Sequence, residues 1–237
     1  MKKYVKNFIG MFKKSIPPYE YKITVEHGGR KTLDESFNRL KDNLLYIGAQ
    51  GVKVIQVEAS IPGEGKTMMV CNLGASLAFN HKKVVIIDLD FRRPRVSKVF
   101  AINEENGIGD YIVGEKSEQE IIKKTEWGVD VITRGKEIHN SSLVLDSDKM
   151  KEFIKKLKQE YDFILLDCPP VLLMSDYLHI ASFSDGILLT VAANFTKRTA
   201  VKDSVALLKK LDKRIIGVAM TMVAPENIQY GYSNEDY

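Results

Sequence analysis

The stretch VKVIQVEASIPGEGKT, residues 52–67, decides the fold. Its first half, Val52–Ala59, is rich in β-branched residues, which favours a strand. Its second half holds two glycines, and the following residues, Thr67–Phe79, place Leu73 and Leu77 at helical spacing. A glycine-rich turn between a strand and a helix points backbone N–H groups at a phosphate, and the helix N-terminus adds a favourable dipole. We therefore predict a phosphate-binding loop here.

The residue types in this loop fit a nucleotide. Gly63 and Gly65 allow a close approach of phosphate, Lys66 supplies a cation for the β- and γ-phosphates, and Thr67 offers a hydroxyl to Mg²⁺. The strict pattern G-x-x-x-x-G-K-[ST] has glycine where this chain has Ser60, so the match is relaxed at one position. The predicted nucleotide-binding residues are Pro62, Gly63, Glu64, Gly65, Lys66, Thr67 and Met68.

Beyond the loop, apolar runs alternate with helical patterns. Continuous apolar runs in Lys83–Asp90, Asp162–Asp167 and Gly186–Ala192 are typical of strands buried on both faces of a sheet. Further predicted elements are a helix over 33–44, helical pieces over 107–124, a short strand over 128–133, a helix near 150–157, a helix near 201–211 and a last strand over 215–223. The alternation predicts an α/β fold with a doubly wound, mostly parallel sheet and helices on both faces.

The composition fits one ordinary domain with tails. The chain has 237 residues, of which 44% are hydrophobic and 28% are charged. We predict a basic, partly flexible segment at 1–30, the phosphate-loop domain at 31–225, and a flexible tail carrying tyrosines at 226–237. The net charge of +4 is too small to indicate nucleic acid as a partner.

The sequence contains no stretch typical of a membrane span or of a secretory signal. No apolar run approaches the ~20 residues that a membrane span needs. Charged residues interrupt the apolar ones near the start, unlike a secretory signal. Cys71 and Cys168 lie inside apolar segments and are expected to be reduced core thiols. These features predict a cytoplasmic protein.

Acidic residues follow two of the apolar strands. Asp88 and Asp90 lie at the end of one predicted strand, and Asp167 ends another. Asp88 comes directly after four apolar residues and needs a partner there, for which hydrated Mg²⁺ is a candidate. Because open α/β sheets bind ligands at the carboxyl ends of their strands, we expect these acids to converge with Lys66 and Thr67. For Asp90 and Asp167, capping of the following turn is the alternative.

Three strings carry a specific resemblance. SIPGEGKT, VVIIDLDFRRP, and YDFILLDCPPV followed by Ser175-Asp176 resemble the cytoplasmic tyrosine kinases of bacterial capsule and exopolysaccharide export. That family belongs to the deviant P-loop branch that also holds the cell-division and plasmid-partition ATPases. The likeness covers roughly residues 33–223.

The resemblance implies a function and assigns residues to it. It implies an ATP-dependent protein-tyrosine kinase that uses Mg²⁺, autophosphorylates a C-terminal tyrosine cluster and regulates capsular or exopolysaccharide synthesis and export. The implied catalytic residues are Lys66, Asp88, Asp90 and Asp167, the implied metal ligands are Thr67, Asp88 and Asp167, and the implied phosphoacceptors are Tyr230, Tyr232 and Tyr237.

The resemblance also implies partners. These are a membrane chain-length regulator that activates the kinase through a cytoplasmic tail, a second copy of the chain for trans-autophosphorylation, and a cognate tyrosine phosphatase. The chain is then expected at the inner face of the cell membrane, held there by its activator. Glu235 and Asp236, next to Tyr237, have the charge that Arg92 and Arg93 attract.

The chain departs from the family pattern at several places, two of which concern assembly and base recognition. The family's leading helix carries E-x-x-R-x-x-R, associated with ring-shaped oligomers, whereas this chain has Glu35, Asn38 and Lys41. Asn and Lys do not replace a bidentate arginine fork, so ring assembly is not predicted. Thr221 stands where the family has an Asn near the adenine base, which predicts altered base recognition.

Two alternative functions remain open on the sequence. The first is a partition or cell-division switch ATPase. That group carries an additional lysine early in the loop, at the position of Ile61 here. The second is a nucleotide-binding adaptor with weak kinase activity, which the missing arginines and Thr221 favour.

Overall fold

The computed structural model describes Ile23 and residues 31–224. The strands are β1 (Val54–Ala59), β2 (Val84–Asp88), β3 (Lys123–Lys124), β4 (Val129–Ile132), β5 (Phe163–Asp167), β6 (Gly186–Ala192) and β7 (Arg214–Thr221). The helices are α1 (Lys31–Gly48), α2 (Lys66–Phe79), α3 (Val96–Val99), α4 (Ile108–Ile112), α5 (Glu118–Ile121), α6 (Ser141–Leu145), α7 (Asp148–Glu160), α8 (Asp176–Ile180) and α9 (Arg198–Leu208).

These strands form one sheet in the order β3-β4-β2-β5-β1-β6-β7. All neighbours pair parallel except β3, which runs antiparallel to β4. From β1 the chain first moves outward to β2 and later to β6 on the other side. The sheet therefore has a topological switch point beside β1, where open α/β sheets bind ligands.

The central strands alternate their side chains between two buried faces, as the pleat requires. On β1, Ile55 and Val57 pack into a core that α1 and α2 cover, whereas Val54 packs into the core on the opposite face. Helix α7 covers that second core with Met150 and Phe153. The predicted doubly wound sheet with helices on both faces is confirmed.

Element bounds differ modestly from prediction. Strands β1 and β5 begin later than predicted, β2 is shorter at both ends, and β6 has its predicted bounds. The prediction of helical structure up to residue 124 is wrong at its end, because Lys123–Lys124 pair with β4 as the short strand β3. The short helices α3, α6 and α8 carry no clear periodicity and were not predicted. On α1, Leu44 is buried and Phe37 and Leu40 are partly buried, whereas the side chain of Leu33 lies outside the described part.

Two predicted segments cannot be compared with the structure. The basic segment at 1–30, apart from Ile23, and the tail at 226–237 lie outside the described residues. Within the described part, no helix combines the length and the apolar character needed to cross a bilayer.

Candidate nucleotide-binding site

The loop between β1 and α2 has the backbone form expected of a phosphate cradle. Gly63 and Gly65 have φ angles of 90° and 77°, in the left-handed region that favours glycine. Gly65 is the N-cap residue of α2, so the helix starts at Lys66 with its first N–H groups directed at the loop. This combination of loop and helix N-terminus binds phosphate well.

Glu64 fixes this loop to the neighbouring strands. Its buried carboxylate accepts the Ile61 N–H at 2.9 Å and the hydroxyl of Thr196, which follows β6. Its backbone carbonyl accepts the Thr221 hydroxyl, at the end of β7, at 2.6 Å. Thr196 and the structural use of Thr221 were not predicted, since neither forms a pattern with the loop in sequence.

Lys66, Thr67 and Asp167 meet at the carboxyl end of β5. The ammonium of Lys66 donates to one oxygen of the Asp167 carboxylate, and the Thr67 hydroxyl donates to the other at 2.8 Å. Lys66 is 8% exposed and Asp167 is 1% exposed. Burial by itself lowers the pKa of Lys66, but the charge and the hydrogen bond of Asp167 outweigh burial, so the pKa is raised and the lysine stays charged.

Asp88 lies opposite Asp167, one strand away. The two residues are paired in the register of β2 and β5. The Asp88 carboxylate accepts three backbone N–H groups, from Asp90 at 3.1 Å, Arg95 at 2.9 Å and Val96 at 3.0 Å. Burial raises the pKa of the Asp88 carboxyl well above its usual range, and the charge of Asp167 raises it further. Asp88 therefore organises the loop that follows β2.

A cavity of about 390 Å³ lies over the phosphate loop. Its lining includes the predicted binding residues Pro62, Gly63, Glu64, Gly65, Lys66, Thr67 and Met68, together with Ala59, Ile61, Asp90, Arg92, Arg93, Arg95, Pro169, Pro170, Leu173 and Met174. Asp90 thus faces the cavity, and its carboxylate accepts the Arg93 N–H at 3.0 Å. Asp88 and Asp167 are buried and do not belong to this lining.

One ion pair joins the loop after β2 to the start of α8. Arg92 donates to the Asp176 carboxylate at 2.8 Å, and the Ser141 hydroxyl donates to its other oxygen at 3.0 Å. Asp176 is 3% exposed. Asp176 was noticed in the sequence only as part of the family likeness, and no local pattern indicates that this acid reaches Arg92.

Glu58 is a third buried carboxyl near the same edge of the sheet. Burial raises its pKa to about 8, although a hydrogen bond from Gln56 opposes the rise. Gln56 donates to one Glu58 oxygen at 2.7 Å, and the other oxygen has no partner among the described residues. Glu58 was not predicted as a site residue, since its only signal is a charge inside an apolar strand.

The side chains near Lys66 are of the types that bind Mg²⁺. Thr67 and the strand-end aspartates supply hydroxyl and carboxylate oxygens, which are the ligands that Mg²⁺ prefers. Among the described residues, no group of three or more His, Cys, Asp or Glu side chains is arranged to hold a metal by itself. A magnesium ion at this site therefore depends on nucleotide phosphates and water for most of its ligands, as is usual for such sites. The three predicted phosphoacceptor tyrosines lie outside the described residues.

The fold and the loop define the chain as a P-loop protein with a nucleotide-binding site. Residues 52–219 match the family model described as an AAA domain, and the chain belongs to that family.

Curated relatives carry kinase names. The tyrosine-protein kinase YwqD of Bacillus subtilis is 26% identical over 84% of this chain and 85% of its own length. The EpsB protein of Ralstonia nicotianae is 26% identical over 84% of this chain but only 27% of its own length. The chain thus spans about a quarter of the length of the two Ralstonia EpsB proteins that it matches.

Solved structures agree with this grouping. The kinase domain of the Escherichia coli tyrosine kinase ETK is 28% identical, with a TM-score of 0.70 over 76% of this chain and 72% of that chain. The septum site-determining protein MinD of Pyrococcus horikoshii, solved with Mg-ADP, shares the fold at 24% identity, with a TM-score of 0.62 over 76% of this chain and 74% of that chain. The predicted resemblance to the bacterial tyrosine kinases is confirmed.

Proposed function

We propose that this chain is an ATP-dependent protein-tyrosine kinase that autophosphorylates its C-terminal tyrosines and regulates capsular or exopolysaccharide synthesis and export. The observation that carries the proposal is the meeting of Lys66, Thr67 and Asp167 beneath a cavity bordered by the phosphate loop. The names of the relatives point to tyrosine as the acceptor.

Binding of ATP follows from the loop. Its backbone N–H groups and the α2 N-terminus hold the phosphates, and the Lys66 ammonium offsets charge on the γ-phosphoryl group. For Lys66 to reach a phosphate, its contact with Asp167 has to lengthen. Thr67 and Asp167 would hold Mg²⁺, which would supply neutralisation of the phosphate charge when bound.

Transfer requires a base because the tyrosine hydroxyl is a weak nucleophile, with a pKa near 10. The phenolic oxygen bonds to the γ-phosphorus, the bond from that phosphorus to the β,γ-bridging oxygen breaks, and ADP leaves. The phenolic proton passes to a carboxylate. The position of Asp90 in the cavity lining supports it for this role, whereas the oxygens of Asp88 already accept backbone N–H groups.

The proposed partners follow from the family. A membrane chain-length regulator activates the kinase through its cytoplasmic tail and holds it at the inner face of the membrane. A second copy of the chain provides the acceptor tyrosines in trans, and a cognate phosphatase removes the phosphate.

The experiment is a labelling assay on the full chain. We incubate it with γ-labelled ATP, Mg²⁺ and a peptide of the activator's cytoplasmic tail, and expect label on Tyr230, Tyr232 or Tyr237. The triple variant with phenylalanine at these positions is expected to lose the label, and Tyr46→Phe, on the exposed face of α1, is the matched control. Transfer in trans predicts an initial rate that rises with the square of the protein concentration. Absence of label from tyrosine in the presence of activator refutes the proposal.

A second candidate is a nucleotide-binding adaptor with weak kinase activity. The engagement of Asp88 by three backbone N–H groups favours it, since a carboxylate that shapes the following loop is less available to a reacting group. The same assay separates the two, because the adaptor binds a fluorescent ATP analogue but leaves the tyrosines unlabelled.

A further inference from the structure

The cavity over the phosphate loop has two chemically different walls. The loop after β5 provides an apolar wall, made of Pro169, Pro170, Leu173 and Met174. Leu173 is 56% exposed, so this wall is open to a ligand. The loop after β2 provides a basic wall, made of Arg92, Arg93 and Arg95.

A buried carboxylate holds Arg92 in place. The buried Asp176 carboxylate accepts its guanidinium at 2.8 Å, and Ser141 fixes the other oxygen of that carboxylate. The Arg92 side chain is still 44% exposed. The ion pair with Asp176 therefore fixes the guanidinium of Arg92. The exposed part of this guanidinium can bind a ligand without the entropic cost of ordering a mobile arginine.

Arg93 differs from Arg92 because its side chain is not held by a neighbouring acid among the described residues. Its backbone N–H donates to Asp90, but its guanidinium has neither a hydrogen bond nor an ion pair with any residue in the described part of the chain. Asp90 and the buried Glu64 are the acidic residues in the cavity lining, and Glu64 is occupied by Ile61 and Thr196. The exposed guanidinium of Arg93 therefore favours an anionic group next to the bound nucleotide.

We propose that this pair of walls selects acceptor tyrosines that stand next to carboxylates, with Arg93 as the residue that determines the preference. The apolar wall receives the phenol ring, and the arginines receive the flanking acids. In the chain's own tail, Tyr237 follows Glu235 and Asp236, whereas Tyr230 lies between Gln229 and Gly231. The acidic end of the tail, residues 234–237, is thus the occupant that matches, and Tyr237 is modified before Tyr230. The inference rests on the proposed kinase function and adds its substrate class.

The first test measures which tyrosine is modified. Mass spectrometry of the full chain during autophosphorylation is expected to show phosphate at Tyr237 about fivefold faster than at Tyr230, the size of a favourable exposed charge pair. Both Arg93→Glu and the tail variant with Glu235→Gln and Asp236→Asn are expected to remove that preference. Lys98→Glu, an exposed lysine on α3 outside the cavity lining, is the matched control and is expected to keep it.

The second test reverses the charge of Arg93 and, at the same time, the charges of the two acidic tail residues. Arg93→Glu combined with Glu235→Lys and Asp236→Lys is expected to restore the Tyr237 preference, because the opposite charges face each other again. A folding defect caused by Arg93→Glu is not repaired by changes in the tail. The rescue therefore separates recognition from a structural effect.

A binding measurement works without phosphate transfer. With ADP bound, a fluorescent peptide of residues 226–237 is expected to bind about fivefold more tightly than the same peptide carrying Glu235→Gln and Asp236→Asn. Equal affinities, or equal rates at Tyr237 and Tyr230 in the active enzyme, overturn the acidic preference but leave the kinase function intact. Transfer to no tyrosine at all refutes both.

Discussion

The carboxyl ends of β2 and β5 carry aspartates that face each other, and the two are held differently. Asp167 is bound by two side chains, Lys66 and Thr67, which belong to the phosphate loop and the start of α2. Asp88 is bound by backbone N–H groups of the loop that follows its own strand. Under the proposed function, the side-chain contacts of Asp167 exchange for a nucleotide and its metal, whereas the backbone contacts of Asp88 define the shape of a loop. Similar strand-end aspartates thus differ in how they are held, one by side chains and the other by backbone N–H groups.

The largest expected effect comes from removing the cation that faces Asp167. Lys66→Met is expected to lower phosphate transfer to tyrosine by at least about 100-fold, because charge on the γ-phosphoryl group is no longer offset. Labelled ATP measures the transfer, and circular dichroism confirms that the variant is folded. Lys202→Met, an exposed lysine on α9, is the control with unchanged transfer. Undiminished transfer by Lys66→Met excludes the phosphate loop from the mechanism.

Replacing Asp88 tests whether its hydrogen bonds stabilise the loop that follows β2. Asp88→Ala leaves three backbone N–H groups without their acceptor, and we expect the free energy of unfolding to fall by about 2 kcal/mol. Chemical denaturation measures the loss. Asp90→Ala removes the acceptor of one backbone N–H group and is expected to cost less than about 1 kcal/mol. Unchanged stability of Asp88→Ala, together with lost transfer, assigns Asp88 to the chemistry instead.

Glu58 is a third buried acid, and it differs from Asp88 and Asp167 because one of its carboxyl oxygens has no hydrogen-bond partner within the described residues. Its pKa is about 8 in the folded chain against an ordinary value of 4.5, so the folded state keeps a proton that the unfolded state has lost. Its contribution to stability is complete below pH 4.5 and is lost as the pH rises towards 8. The slope is at most about 1.4 kcal/mol per pH unit.

We therefore expect the wild-type free energy of unfolding to fall between about pH 5 and pH 8 through this carboxyl, and Glu58→Gln to flatten the decline. Lys66, Asp167, Gln56 and Cys168 surround Glu58 and remain unchanged in the variant. Denaturation curves across this range provide the measurement, with Glu126→Gln at an exposed acid as the control. Parallel pH dependence in wild type and Glu58→Gln contradicts the raised pKa.

Much of the fold could be predicted because its signals are local. The apolar run Val84–Asp88 has no polar face, so it had to be a strand covered on both sides. Helix α7 is indicated by the spacing of Met150, Phe153, Ile154 and Leu157, all of them buried. Short elements such as α3 and α6 escaped prediction, since four or five residues are too few to display a period.

Part of the candidate site could also be predicted from local sequence signals. The glycines and the lysine of the phosphate loop act through backbone conformation and through position next to a strand, and both can be read from adjacent residues. The convergence of Lys66 and Asp167, 101 residues apart, followed from the rule that parallel strands present their carboxyl ends at one edge.

The phosphate loop, the alternation of strands and helices, and the acids at the strand ends are encoded in short stretches of the sequence. The groups that hold those acids are not, and neither are the contact of Arg92 with Asp176, 84 residues away, and that of Thr221 with Glu64, 157 residues away. This is because local patterns encode backbone conformation and burial. The partner of a buried polar group depends instead on which loops the strand order β2-β5-β1-β6-β7 brings together.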